Sequence, residues 1–127
     1  PMNSLNPKGC LLDDVGRGTL PCISSMGAAL KPDAPHIRLG ALSASRNCAL
    51  ARFVRKRLRK RGVDISKIAC VYSDEQARLP ATALQMPEDD AAEGRSRHIM
   101  GSLPTITAIF GLIIANEVIC RLSGLKN

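Results

Sequence analysis

Aromatic residues are the scarcest class in this 127-residue chain, which contains two phenylalanines, one tyrosine and no tryptophan. The core must therefore be aliphatic, and folds that read single-stranded RNA by stacking bases on several aromatic side chains are disfavoured. The length suits one domain with one hydrophobic core. A hydrophobic content of 45% argues against disorder.

Closely spaced cysteines are also lacking. The five cysteines are Cys10, Cys22, Cys48, Cys70 and Cys120, and no C-x-x-C pair occurs. An odd number at long spacing disfavours a disulfide framework or a structural zinc site and fits a reducing, intracellular compartment. The first residues do not form a signal peptide, because no basic region is followed by an apolar one.

Motifs that carry chemistry are missing as well. The sequence has no glycine-rich phosphate loop and no G-x-S-x-G elbow. His36 has no neighbouring ligand at helical or hairpin spacing, so we expect it to play a structural role at or near the surface. Cys22 and Cys70 fall in predicted buried strands and should be inert, and only Cys48, at the start of a helix, is placed to favour a thiolate. Catalytic residues remain unknown, and no metal site is predicted.

Hydrophobic patterning predicts an α/β order. Residues 6–15 form a helix ended by two glycines, and residues 21–25 follow as a short strand. This is the second half of a right-handed crossover in a parallel sheet, so residues 1–30 imply a preceding strand that the chain does not supply. Residues 36–39 read as an edge or hairpin strand and 68–73 as a buried one, within a unit spanning 36–73. The polar stretch 74–98 is a long loop, either functional or disordered.

A long helix is predicted for residues 102–124. Ser102 should cap it, Pro104 suits its first turn, and Gly124 should end it in the left-handed conformation. It is apolar around nearly its whole circumference, which indicates burial in a core or a membrane. Asn116 and Glu117 interrupt the apolar run before the roughly 20 residues that a span requires. We therefore predict a core helix and no stable membrane span, with a membrane or amphipathic anchor as the alternative.

Positive charge is concentrated in a second predicted helix, residues 45–61, ended by Gly62. The net charge is +7, and seven of the ten residues 52–61 are basic. The predicted apolar face consists of Ala49, Leu50, Phe53, Val54 and Leu58. The predicted basic face consists of Arg52, Arg55, Lys56, Arg59 and Lys60. This face is either simply solvated or contacts the phosphates of a nucleic acid.

Four stretches in order and spacing carry a family resemblance: residues 23–33, 51–63, 71–75 and 101–111. Together they resemble the C-terminal half of the tRNA threonylcarbamoyladenosine dehydratases, which are ThiF-type proteins of the ubiquitin-activating-enzyme-like adenylating superfamily. The resemblance implies the C-terminal part of a doubly wound, Rossmann-like fold, with the N-terminal nucleotide-binding half absent. Residues 1–127 are then a single partial domain, completed by a homodimer or by an N-terminal half supplied by the missing sequence.

The resemblance also implies an activity and a partner. Family members use ATP and magnesium to activate the carboxylate of threonylcarbamoyladenosine, beside the anticodon of tRNA, as an acyl adenylate, and loss of water then closes a ring. They occur in the cytoplasm and in organelles. Asn3 stands at the position of the family's ATP–metal aspartate, and residues 97–101 lack the cysteine of bacterial members. An amide brings no negative charge to hold magnesium.

Three hypotheses remain open at this stage. The chain is part of an adenylating dehydratase that is inactive alone and binds no cofactor by itself, or a non-catalytic basic RNA-binding or interaction module derived from that family. The third is a non-functional truncated product whose exposed sheet edge and apolar face favour association.

Overall fold

A computed structural model describes residues 5–18, 21–77 and 101–125. The helices are α1 (Leu5–Arg17), α2 (Ala49–Lys60) and α3 (Pro104–Leu122), and the strands are β1 (Ile23–Ser25), β2 (Ile37–Ala41) and β3 (Ala69–Ser73). The mixed α/β composition predicted from the sequence is confirmed. The predictions for Asn3 and for most of the 74–98 loop lie outside the described residues.

The three strands form one sheet in the order β1-β3-β2. β1 is parallel to β3, with Ile23 opposite Ala69, and β2 is antiparallel to β3, with Leu39 opposite Val71. The parallel partner of β1 in the described sheet is β3, whereas the strand predicted to precede α1 lies outside the described residues. β2 lies at an edge of this sheet and is not half of a hairpin, because α2 separates it from β3 in the chain.

Helices cover the two faces of the sheet. Side chains of β3 alternate between them, so Cys70 and Tyr72 contact one core cluster while Val71 contacts the other. The first cluster includes Leu12 of α1 and Val54 and Leu58 of α2, together with Leu42, Val63, Ile65 and Ile68. The second includes Ile106 and Phe110 of α3. Both clusters are mainly aliphatic, as the scarcity of aromatic residues predicts.

The predicted start of α2 at Ser45 is wrong, because the helix begins at Ala49. Residues Leu42–Ala44 form a 3-10 turn, and the Ser45 hydroxyl donates to the Leu42 carbonyl oxygen at 2.7 Å. Asn47 is left-handed (φ +53°), which breaks any continuous helix at that point. Cys48 is the N-cap residue, and its Sγ accepts a hydrogen bond from the Ala51 N–H.

The sequence predicts the end of α3 correctly but not the cap at its start. Leu103 occupies the N-cap position and no side chain caps it, so the prediction for Ser102 is wrong, while Pro104 stands in the first turn as expected. Gly124 is left-handed (φ +72°), as predicted. The Leu125 N–H donates to the Cys120 carbonyl oxygen at 2.9 Å and the Gly124 N–H to that of Arg121. These two bonds form a Schellman motif.

The prediction that α3 is a core helix is wrong for the part of the chain that the structure describes. Ile106, Phe110 and Glu117 are its buried residues. The opposite side carries Leu112, Ile119 and Leu122, which are 69%, 62% and 84% exposed. By length and composition alone the helix is apolar enough to cross a membrane, and one such helix is weak evidence for a span. The exposed set Leu112, Ile119 and Leu122 is called the outer face of α3 below.

Gly62 provides a test of how α2 ends. Its φ of +73° is left-handed, and the N–H groups of Gly62 and Val63 close the helix on the carbonyl oxygens of Arg59 and Leu58. A Cβ at this φ clashes with the backbone, so Gly62→Ala should lower the free energy of unfolding by about 1–2 kcal/mol, measured by urea denaturation.

Gly111→Ala is the matched control. Gly111 lies inside α3, and a Cβ added there meets no atom within 4 Å. Alanine favours a helix interior over glycine by about 1 kcal/mol, so this change should stabilise the protein or leave it unchanged. Equal destabilisation by both variants would contradict the left-handed role of Gly62.

Candidate functional site

The basic side chains of α2 give this helix a strongly positive exposed surface. Arg52, Lys56, Arg59 and Lys60 are all exposed. Residues 49–60 contain no acidic side chain, and none of these four residues forms an ion pair with another described residue. Their positive charges are therefore available to an anionic ligand. These four residues are called the basic face below.

Arg55, the fifth residue predicted for this surface, lies apart from the other four. It is half-buried, and its guanidinium donates to both the carbonyl oxygen and the hydroxyl of Ser45. Arg55 thus braces the loop that precedes α2. Sequence periodicity did not indicate this, because the contact depends on the path of residues 45–48.

Two further basic residues face α1. Arg57 Nη2 lies 3.7 Å from Cys10 Sγ. Arg61 Nη1 donates to Asp13 Oδ2 at 2.6 Å, and Arg17 Nε donates to Asp13 Oδ1 at 2.9 Å. Arg17 also donates to the Arg61 carbonyl oxygen at 2.6 Å. This network joins α1 to the end of α2, so part of the positive charge holds the fold together.

Asp13 is expected to make the stability of the fold depend on pH. Its hydrogen bond to Arg17, supported by Arg61, lowers the pKa of the Asp13 carboxyl. A lowered pKa contributes stability that is present above the unfolded value of about 3.9 and lost as the pH falls through the folded value. Asp13→Asn should therefore destabilise the protein at pH 7, and its difference from the wild type should shrink toward pH 3.

Urea unfolding at pH 7, 5 and 3 measures this difference. Asp14→Asn is the matched control, because Asp14 is the adjacent residue and is exposed. The control should follow the wild-type pH profile. A wild-type-like profile for Asp13→Asn would show that the carboxylate network does not contribute to stability.

The carboxyl ends of the parallel strands β1 and β3 lie at the same edge of the sheet. Lys31 is buried there, and its Nζ donates to the Ser73 carbonyl oxygen at 2.6 Å. Lys8 Nζ donates to the Ser25 carbonyl oxygen. Burial lowers the pKa of both ammonium groups. Ligands of α/β proteins usually bind at this edge, but here both cations bind the backbone of the strand ends.

His36 lies at the same edge. Its Nδ1 is 2.7 Å from Asp74 Oδ1, and Arg38 Nε is 3.3 Å from Asp74 Oδ2. The hydrogen bond to His36 lowers the pKa of Asp74. The predicted structural role of His36 at the surface agrees with these contacts. Among the described residues, no group of three His, Cys, Asp or Glu side chains is placed to hold a metal ion.

The cysteines behave as isolated thiols. All five are free. Burial raises the pKa of Cys70 to about 11 and also raises the pKa of Cys22, so both are poor nucleophiles, as predicted. Cys48 is buried and serves as the cap of α2, which leaves it inaccessible to a substrate.

Phe53 is a candidate functional residue that helical periodicity assigns to the wrong face of α2. It was predicted to belong to the apolar face of α2, but it is 51% exposed. The guanidinium carbon of Arg52 lies 5.7 Å from the centre of its ring. The buried stripe of α2 is Ala51, Val54 and Leu58. Ala51, Val54 and Leu58 are spaced by three and four positions, which is the spacing of one helix face. That spacing was the signal that could have placed Phe53 on the solvent side of α2.

Comparison with known proteins identifies a consistent set of relatives. The chain is 30% identical over 129 residues to tRNA threonylcarbamoyladenosine dehydratase 1 of Saccharomyces cerevisiae, covering 97% of this chain and 30% of the relative. It is 28% identical over 117 residues to the tRNA threonylcarbamoyladenosine dehydratase of Bacillus subtilis, covering 91% of this chain and 44% of the relative. No protein-family model matches.

Solved structures show the same fold. The E. coli tRNA N6-threonylcarbamoyladenosine dehydratase TcdA in complex with AMP superposes with a TM-score of 0.73 at 22% identity, over 97% of this chain and 46% of that one. Its complex with ATP gives a TM-score of 0.74 at 20% identity, over the same shares. The resemblance drawn from the sequence is confirmed over most of this chain. The chain spans less than half the length of these relatives.

Proposed function

We propose that this chain supplies the C-terminal half of a tRNA threonylcarbamoyladenosine dehydratase and provides its scaffold and a tRNA-binding surface. The observation that carries the proposal is the alignment over 97% of the chain with a dehydratase at 30% identity. The proposed fold is the C-terminal part of a doubly wound, Rossmann-like ThiF-type domain. The proposed location is intracellular, in the cytoplasm or an organelle.

The chemistry of such an enzyme activates a carboxylate with ATP and magnesium as an acyl adenylate, because a carboxylate is a poor electrophile until its oxygen becomes a leaving group. The described residues do not by themselves fit a nucleotide. Lys8 and Lys31, the cations at the carboxyl edge of the sheet, already bind the carbonyl oxygens of Ser25 and Ser73. We therefore assign no catalytic step to this chain alone and expect it to bind neither ATP nor magnesium by itself.

Isothermal titration calorimetry of the purified chain with ATP and magnesium, with and without tRNA, tests this proposal. We expect no ATP binding and salt-sensitive tRNA binding. Clear ATP binding by the chain alone would contradict the proposal that the nucleotide site lies on polypeptide outside this chain. Absence of tRNA binding at low salt would contradict the tRNA-binding role.

The second candidate is a non-catalytic RNA-binding module. The charges of the basic face, which form no ion pair with another described residue, favour it, since they serve RNA binding whether or not catalysis follows. Comparing tRNA with and without the threonylcarbamoyl group separates the two functions. A preference for the modified tRNA would indicate a part of the dehydratase, because a surface that contacts only phosphates binds both tRNAs equally.

We also propose that the outer face of α3 is covered by protein, either a second copy of this chain or the additional polypeptide that its relatives have. Three large apolar side chains are exposed there, at 69%, 62% and 84%. An apolar surface of this kind on a single helix is typical of an interaction site.

A further inference from the structure

We propose that the exposed Arg52–Phe53 pair of α2 is a stacking platform for one unpaired nucleobase of the RNA whose phosphates contact the basic face. This inference rests on the proposed RNA binding and adds a specific contact to it. It assigns Phe53 to recognition and not to the core.

The exposure of Phe53 is the first support. The other two aromatic residues, Tyr72 and Phe110, are 6% and 2% exposed, whereas Phe53 is 51% exposed. Its neighbours in the helix at the next position and three positions before, Val54 and Leu50, contact the core cluster. The chain thus uses two of its three aromatic side chains for packing and presents the third to solvent.

The surroundings of Phe53 are the second support. The Arg52 guanidinium lies 5.7 Å from its ring centre, a distance at which a cation interacts with an aromatic face. Lys56 follows Phe53 by three positions and Lys60 by seven, so both share its side of the helix. An aromatic ring beside a line of cations matches a nucleic acid strand, in which flat bases are joined to anionic phosphates.

The chemistry favours an unpaired base over a duplex. In a double helix both faces of each base are already stacked, so a ring on a protein surface gains little. Single-stranded loops and ends can splay a base onto an aromatic side chain or a guanidinium plane. The absence of acidic residues from residues 49–60 also avoids repulsion of the adjoining phosphates.

The test measures binding of a short single-stranded RNA and of a duplex of the same sequence by fluorescence anisotropy at several salt concentrations. Phe53→Ala and Phe53→Leu should weaken single-strand binding by about 5- to 100-fold, because each loses the stacked base. The dependence on salt should not change, since no charge is removed. Duplex binding should stay within about 2-fold of the wild type.

Two further variants sharpen the result. Phe53→Trp should bind at least as tightly as the wild type. Its fluorescence should be quenched when a base of single-stranded RNA stacks on the indole ring, and the signal is specific because the chain has no other tryptophan. Leu11→Ala is the matched control, because Leu11 is also 51% exposed but lies on α1. It should leave RNA binding unchanged.

The outcomes distinguish this inference from the proposed function. If the Phe53 variants bind single-stranded RNA normally while charge reversal of the basic face weakens it, the platform is wrong and the RNA-binding surface stands. Equal loss of single-strand and duplex binding also overturns the platform. If an acidic peptide such as polyglutamate competes for Phe53 as well as RNA does, the site binds protein instead. Absence of RNA binding by the wild type overturns both proposals.

Discussion

Charge reversal of the basic face, with Arg52, Lys56, Arg59 and Lys60 all changed to glutamate, is expected to abolish tRNA binding. Each phosphate that a cation neutralises releases counterions and contributes about −0.9 to the slope of log affinity against log salt on a duplex. Four contacts give a slope near −3.6. Wild-type affinity should then fall about 100-fold between 50 and 200 mM salt. The reversed variant should show no specific binding and no such slope.

Filter binding or anisotropy at four salt concentrations measures both quantities. Lys56→Glu and Lys67→Glu form a matched pair of single changes, because both residues are exposed and only Lys56 lies on α2. The first should lower affinity and reduce the slope by about 1, and the second should do neither. Unchanged tRNA binding by the fourfold variant would remove the RNA-binding role from α2 altogether.

The basic face has four residues and not five because Arg55 makes a contact that the sequence does not predict. Helical periodicity placed Arg55 beside Lys56 and Arg59 on one face, and the position is correct at the level of the helix. The long Arg55 side chain nevertheless turns back to Ser45, which lies in a loop. That contact depends on the left-handed turn at Asn47, and no periodic pattern encodes it.

Local signals in the sequence were reliable where a residue's own conformation decides the structure. Gly62 and Gly124 end their helices with positive φ, and the short apolar run at β3 forms the central strand of the described sheet. The burial of α2 was predicted less well. Phe53 lies next to the buried Val54, but one step along a helix turns the side chain by about 100°, which carries it from the core to solvent.

The predicted burial of the whole of α3 is wrong for a different reason. Its circumference is apolar nearly everywhere, so composition alone predicts that the whole helix is buried. A sheet can cover only one side of a helix. Ile106 and Phe110 occupy that side, while among the described residues nothing covers the outer face. The sequence of this helix alone does not specify what covers the outer face.

Changing Leu112, Ile119 and Leu122 together to serine should therefore prevent association without unfolding the chain. If a second copy covers the outer face, the wild type should be dimeric in sedimentation equilibrium at micromolar concentration. The variant should then dissociate at least about 100-fold more easily, because each such side chain gains about 1.5–3 kcal/mol on full burial. The variant should keep the urea stability of the wild-type monomer, since these side chains are exposed in the single chain.

Phe110→Ala is the contrasting change. Phe110 lies on the buried side of the same helix and is 2% exposed. Its truncation should therefore cost about 3–5 kcal/mol of folding free energy whatever the association state. A wild type that stays monomeric at all concentrations would exclude the second copy, and the additional polypeptide of the longer relatives would then be the partner to supply. Binding of the wild type, but not of the serine variant, to lipid vesicles would instead assign the outer face to a membrane. The same three side chains would contact a second copy, additional polypeptide or a membrane. The serine variant is therefore compared with the wild type in sedimentation equilibrium, urea unfolding and vesicle binding together.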